Sequence, residues 1–299
     1  MDNKFSQSVA FSSFYQWKPA TVLCVSGDDA FTFLQGQFTN DLRELETKGA
    51  VYGLWLNHKG RVIADSFVHR LSNGLYWIGS YFSRADVIRE RLESFVIADD
   101  VVIEDLTSAW SGLTVFGELT DAEKGLRENS AGFSFVGRRT VRPHREFVFP
   151  TTEESVYLSS VGARQPSDAE DVERTRIGDA IASVPKDIGL GELPNEGGLE
   201  GPAISYNKGC YLGQEVMARL KSMGQVRRRL LQVEGASRAP SLPAPLFQGD
   251  RRIGELRTAV GTPEGFIGLA LFSLLNLQRD VGFSLSPGAE AELKLVKQS

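Results

Sequence analysis

Apolar residues run along this chain in two rhythms. Residues 20–26 (ATVLCVS), 49–56 (GAVYGLWL), 61–71 (RVIADSFVHRL) and 75–79 (LYWIG) are continuous or alternating apolar runs, and strands are predicted there. Asn57-His58-Lys59-Gly60 is polar and carries glycine, as a hairpin turn requires, and Ser72-Asn73-Gly74 leads into the third strand of a meander. Phe31, Leu34, Phe38 and Leu42 recur at helical spacing, so the pattern predicts a helix over 30–42 with Asp28 or Asp29 as its cap. A second helix is predicted over 83–98, capped by Ser83, and shorter ones over 120–128 and 167–176. Further strands are predicted at 101–104, 111–116, 133–136 and 146–149. Residues 178–200 are rich in glycine and proline and read as a long loop of the functional kind. Beyond residue 224 the texture changes to short runs at 225–233, 246–248, 253–260, 266–271 and 291–296, punctuated by Gly and Pro. That spacing predicts a small all-β barrel or sandwich with a boundary near residue 226.

A chain of 299 residues is long for one core, so two or three domains are expected. Net charge is −5 and the isoelectric point near 5.4, which gives no general reason to expect a nucleic-acid partner. No apolar run approaches the roughly 20 residues of a membrane helix, and residues 1–17 lack a charged-then-apolar secretion signal. Two cysteines make no disulfide framework and three histidines no His-rich metal site. The cytoplasm is the expected compartment, and Cys24 reads as a small buried hydrophobe.

Four groups of residues carry candidate chemistry. Lys208-Gly209-Cys210-Tyr211-Leu212-Gly213-Gln214-Glu215 puts a cation, two glycines, a thiol, an amide and a carboxylate into one stretch, which reads as a tight turn or loop. Cys210 beside Lys208 suits a thiolate nucleophile or a transient soft-metal ligand; equally, Gln214 and Glu215 suit bracing of the turn. Glu196, in Leu193-Pro194-Asn195-Glu196, can accept paired hydrogen bonds from an aminopyrimidine-like edge, or sit solvated on the surface. Asp65 interrupts an apolar strand; it needs a partner or a job unless it faces outward. Arg227, Arg228 and Arg229 form a basic cluster with Arg219 and Lys221; strand alternation puts Arg227 and Arg229 on one face, suited to an anionic ligand tail, RNA or solvent.

Lys208 to Glu215 matches, at every fixed position, the Lys-Gly-Cys-Tyr/Phe-x-Gly-Gln-Glu signature of the YgfZ-type folate-binding proteins, relatives of the aminomethyltransferase (T-protein) of the glycine cleavage system. The likeness extends to Leu34-Gln35-Gly36-Gln37 with Thr39 and Asp41, to Leu193-Pro194-Asn195-Glu196, to Met223-Gly224-x-Val226-Arg227-x-Arg229-Leu230, and to Ile253-Gly254-Glu255 and Gly268-Leu269-Ala270-Leu271. The resemblance implies an α+β, three-domain aminomethyltransferase-like fold around a central channel with a C-terminal β-barrel. It divides the chain into a split folate-binding domain (1–47 and 106–225), an inserted α+β domain (48–105) and the barrel (226–299). It implies tetrahydrofolate or a folate derivative as ligand, with Glu196, Lys208, Tyr211, Glu215, Arg227 and Arg229 on the binding side. Cys210 would be the functional thiol and Asp65 an acid/base. The implied role is assembly or repair of iron–sulfur clusters, with client enzymes or assembly proteins as partners, indirectly supporting tRNA-modifying iron–sulfur enzymes. One-carbon transfer to tetrahydrofolate is the alternative, and an RNA- or protein-binding module a third. Two departures stand out. The Asp-Asp pair of the aminomethyltransferases reads Ala64-Asp65 here, and the family's Arg-x-Arg-Leu/Ile-x-x-Gly ends in Ala180.

Overall fold

The computed structural model describes residues 12–72, 74–126, 131–224, 226–275 and 277–296. Asn73, Gln225, the 127–128 end of one expected helix and residues 1–11 lie outside them. The chain enters through β1 (Ser13–Trp17) and passes at once into another sheet. That sheet contains β2 (Thr21–Ser26), β3 (Val51–Leu56), β4 (Val62–Ser72), β5 (Leu75–Ser80) and β6 (Val102–Asp105), in the order β3-β4-β5-β2-β6 with antiparallel neighbours. The expected meander is its centre. Because β2 pairs with β5 and β6, the sheet runs across the division expected at residues 47 and 48. Helices α1 (Ala30–Gln37) and α2 (Ala85–Glu93) cover it, burying Phe33, Leu34, Ile88 and Leu92 against Trp55, Ala64, Val68 and Ile78.

The second sheet recovers β1. It runs β10 (Gln165–Pro166), β1, β7 (Trp110–Phe116), β9 (His144–Pro150), β8 (Phe133–Phe135), so β1 and β7 pair across the whole intervening unit. Leu113, Val115, Phe147 and Phe149 from its strands pack with Tyr157 of α4 (Glu154–Ser160), and α3 (Asp121–Gly125) lies nearby under a Thr120–Glu123 capping box.

The third sheet comprises β11 (Arg228–Gly235), β12 (Ala244–Gln248), β13 (Arg251–Thr262), β14 (Gly265–Ser273) and β15 (Leu293–Leu295), in the order β12-β13-β14-β11-β15. Bridges Phe247–Ser284 and Phe283–Leu293 join its two edges through one short segment, which curls the sheet into the expected barrel form. It docks on α5 (Ala169–Gly178). Gln232 donates to the carbonyls of Ile177 and Gly178 at 2.9 and 3.1 Å, and Asp187 accepts from both Arg176 and Thr258 at 2.6 and 2.5 Å. One core cluster then joins all three sheets, with Leu54 and Phe67 from the first, Trp17 and Phe135 from the second, and Leu271 from the third, together with Tyr211.

Several local expectations are corrected. The helix over 30–42 stops at Gln37, because Phe38 is extended (φ −93°, ψ 141°). Ser83 does not cap α2, whose N-cap is Arg84; the Ser83 hydroxyl is committed to Asp65. The capping serine that the pattern puts at the head of the 167–176 helix, Ser167, lies one residue too early: Asp168 caps α5 through the Asp171 amide. The stretch Lys208 to Glu215 is a loop only as far as Gly213, since Gln214 opens α6 (Gln214–Met223), whose Val216, Met217 and Leu220 face the core.

Candidate functional site

The loop Lys208 to Gly213 is pinned at both ends. Lys208 is buried, and its Nζ donates to the carbonyl oxygens of Gln35, Phe38 and Asn40 at 2.7, 2.7 and 2.8 Å. These oxygens belong to the last turn of α1 and the extended segment after it, where helical carbonyls lack partners. One ammonium with three N–H groups therefore closes the C-terminal end of a helix 170 residues earlier in the chain. Burial pushes the Lys208 ammonium down, to about 8. At the other end Gly213 has φ +86°, and a Cβ there would lie 2.9 Å from the Asn57 carbonyl oxygen of the β3–β4 turn. Gly60 of that turn packs in return on Val216 and Met217. The first family segment, the hairpin turn and the signature are thus one contact.

Between the two pins, Cys210 is exposed and Tyr211 is buried. The Tyr211 hydroxyl has no hydrogen-bond partner among the described residues, and burial raises its pKa. Its ring lies 5.4 Å from Lys208 Nζ. Glu215 points to solvent and pairs with Arg219 at 2.9 Å, one turn along α6. The described residues hold no cluster of three or more His, Cys, Asp or Glu suited to a metal ion.

Glu196 is 4% exposed, which overturns the solvated reading. Its carboxylate does accept a pair of parallel hydrogen bonds, from Arg228 Nε and Nη2 at 2.9 and 2.8 Å, and a third from the Leu193 amide at 2.9 Å. Arg229 donates to the Asn195 carbonyl and to Glu200, while Arg227 is exposed just before β11. The basic cluster is therefore mostly paired, and the arginine that alternation set apart, Arg228, is the one that reaches Glu196.

Asp65 faces inward. Its Oδ1 accepts from the hydroxyls of Ser80 and Ser83 at 2.8 and 2.6 Å, and its Oδ2 from Tyr52 at 3.0 Å. Burial raises its pKa although all three donors and Arg138 oppose the shift. Tyr52 and Ser80 look like ordinary strand residues and Ser83 like a helix cap, and only the β4–β5 pairing and the turn after β5 bring them to Asp65. The site residues form two groups, one around Asp65 and one linking Glu196 to the barrel, with Lys208 and Cys210 on the loop beside α1.

The chain superposes on the glycine cleavage system aminomethyltransferase T from Bartonella henselae with a TM-score of 0.80, at 14% identity, over 98% of this chain and 87% of that one. It has the α+β aminomethyltransferase fold. Residues 17–128 match the family described as GCVT N-terminal domain. Among curated relatives, the iron–sulfur cluster assembly factor IBA57 homolog of Mycosarcoma maydis is 25% identical over 76% of this chain and 59% of its own length. The tRNA-modifying protein YgfZ of Klebsiella pneumoniae is 28% identical over 83% and 80%. Human IBA57 is 24% identical over 91% and 81%. The matches to the fungal homologs from Mycosarcoma maydis and Cryptococcus neoformans span only 59% and 64% of those proteins' length. These likenesses all fit a YgfZ-type protein related to the aminomethyltransferases. No helix among the described residues is long and apolar enough to cross a membrane.

Proposed function

We propose that this chain is a folate-binding accessory protein for the assembly or repair of iron–sulfur clusters, acting in the cytoplasm and indirectly supporting tRNA-modifying iron–sulfur enzymes. The observation that carries the reading is the loop around Cys210: an exposed thiol held between Lys208 and Gly213, each fixed to a different part of the fold. A thiol on a rigid, solvent-facing loop is available to a partner protein without unfolding anything. The names of the IBA57 and YgfZ relatives support iron–sulfur or tRNA-linked work as its setting.

The residues present fit a reduced folate. The Tyr211 hydroxyl is a buried polar atom with no partner among the described residues, and Glu196 would accept the planar donor pair of an aminopyrimidine edge in exchange for Arg228, which now fills both its oxygens. Glu196 and Tyr211 would hold the ring system, with Arg227 and Arg229 toward its anionic end; Lys208 and Glu215 shape the loop. Bound there, tetrahydrofolate supplies a one-carbon carrier. Calorimetric titration of the folded protein with tetrahydrofolate tests the ligand: micromolar or tighter binding is expected, and absence of heat rejects it. Complementation of a deletion strain by Cys210→Ala tests the thiol: client-enzyme activities fall if the reading holds and stay normal if it does not.

One observation favours a second reading, one-carbon transfer with Asp65 as acid/base. Its buried carboxylate, held by three hydroxyls and shifted upward, is poised to keep or release a proton nearer neutrality than a free aspartate. Glycine-cleavage turnover with purified partner proteins, lost on Asp65→Asn, would select this reading. Binding of RNA or protein through the Arg227–Arg229 face has less support, since Arg228 and Arg229 are paired with glutamates.

A further inference from the structure

Away from Cys210 and Glu196, a cleft of about 530 Å³ opens between the segment leading into β3 and the second sheet. Its size lies within the roughly 300–1,000 Å³ of small-molecule sites. Tyr52 and Phe67, with ring centroids 5.1 Å apart, give it an aromatic wall, and Lys48, Arg138 and Arg145 give it positive charge on a protein of net charge −5. The Lys48 charge is offset by Glu44 at 2.5 Å. Arg138 has no ion pair among the described residues; its guanidinium carbon sits 4.3 Å from the centre of the Tyr52 ring. Ser134, 3% exposed, lines the same cleft, and its hydroxyl has no hydrogen-bond partner among the described residues.

The buried Ser134 hydroxyl is costly to leave without a partner unless something binds it, and Arg138, half-buried and with a charge that also favours the Asp65 carboxylate, lines the same cleft. The aromatic wall beside them adds a requirement for a flat, apolar body. We propose that this cleft binds an aromatic carboxylate: the carboxylate on Arg138 and the Ser134 hydroxyl, the ring against Tyr52 and Phe67. Tyr52 is the partition between this cleft and Asp65, because its ring faces Arg138 and its hydroxyl donates to the Asp65 carboxylate. Occupancy of the cleft is therefore felt at Asp65 through one side chain. The ligand is either a free aromatic carboxylate or the benzoyl-glutamate end of a folate; the second source rests on the function proposed above and places the folate tail on Arg138 in place of Arg227 and Arg229, and the first does not.

The test is calorimetric titration of the full chain with 4-aminobenzoyl-L-glutamate, which carries the ring and carboxylates without a pterin. Wild type is expected to bind it one to one, with binding about tenfold weaker in Arg138→Gln and about threefold weaker in Ser134→Ala. Arg252→Gln, on the exposed surface of the barrel, is expected to bind as wild type does. Undetectable binding at millimolar probe, equal binding by Arg138→Gln, or a preference for 4-nitrophenyl phosphate would overturn the proposal. Should Arg138→Gln fold poorly, Lys48→Gln at the exposed mouth serves instead: a loss of about twofold that vanishes at high salt is expected, and no loss overturns the assignment. Tetrahydrofolate that competes with the probe identifies the folate tail as the source. Probe binding without tetrahydrofolate binding sustains the cleft while removing the folate reading. Tetrahydrofolate binding that ignores Arg138→Gln, with no probe binding, does the reverse.

Discussion

Lys208 Nζ lies 2.7 Å from the carbonyl oxygen of Phe38, the residue at which helix α1 gives way to extended chain. With Gln35 and Asn40 completing the set, the lysine of the signature finishes the helix of the early Leu-Gln-Gly-Gln segment. The two motifs are parts of one hydrogen-bonded unit.

Lys208→Met keeps the length of the side chain and removes every donor. Three carbonyls lose their partner while one buried charge is relieved, so a loss of about 3 kcal/mol in urea unfolding is expected. The pH dependence has a definite sign. A folded-state value of about 8 against the ordinary 10.5 means that the unfolded chain holds the extra proton between those two values. The advantage of wild type over Lys208→Met should therefore rise from pH 8 to 10.5, the burial penalty being full below 8. A flat difference would mean that the three carbonyls hold the ammonium at its ordinary value.

The two glycines of the signature should behave differently. A Cβ at Gly213 meets the Asn57 carbonyl oxygen at 2.9 Å from a positive φ, whereas a Cβ at Gly209 meets nothing within 4 Å. Gly213→Ala is expected to cost about 2 kcal/mol or more, Gly209→Ala within about 0.5 kcal/mol of zero. Thermal unfolding of the two variants side by side decides it.

Ala180 stands where the family pattern has glycine, and its φ is +53°. Ala180→Gly relieves left-handed strain and loosens the unfolded chain. A net stabilisation of about 0.5 kcal/mol is expected, read as a rise in the urea midpoint at unchanged slope.

Cys210 is exposed; Cys24 is half-buried in β2, with its thiol pKa pushed up by burial and then by Glu104. A thiol-specific chromogenic reagent should show one fast and one slow reaction, and Cys210→Ser should remove the fast one while leaving stability within about 0.5 kcal/mol of wild type.

Burial raises the folded-state value of Asp65 above the ordinary 3.8. The folded protein then holds the extra proton as pH rises past 3.8, so this group's contribution to stability falls across the window up to its folded value. The stability of wild type relative to Asp65→Asn should decline from pH 4 toward neutrality. A rising difference would mean that the hydroxyl donors of Tyr52, Ser80 and Ser83 outweigh burial.

Strand positions were legible because alternation and punctuation are local: the β3–β5 meander and the strands of the barrel lie where the apolar pattern put them. The signature was legible as a unit because its residue types are unusual together. What sequence could not carry was partnership at a distance. Ser83 looks like a helix cap and is instead a ligand of Asp65, 18 residues away. Glu196 looks solvated until Arg228, 32 residues on, closes over it. The start of helix α6 was hidden because Gly209 and Gly213 marked Lys208 to Glu215 as a loop, although Val216, Met217 and Leu220 carry a helical spacing. In each case a local preference was overridden by a contact between residues that only the folded chain brings together.

The Lys208 cap also has a consequence during synthesis. On the ribosome, α1 is complete long before residue 208 is made, so its terminal carbonyls can bond only to water in the interval. A nascent chain halted before the signature has its N-terminal unit finished in outline and open at that one end. The exposed cysteine and the lysine that closes the fold are two residues apart, and they leave the ribosome together. A molecule that displays Cys210 in its native loop is therefore one in which α1 and the β3–β4 turn have already found their places.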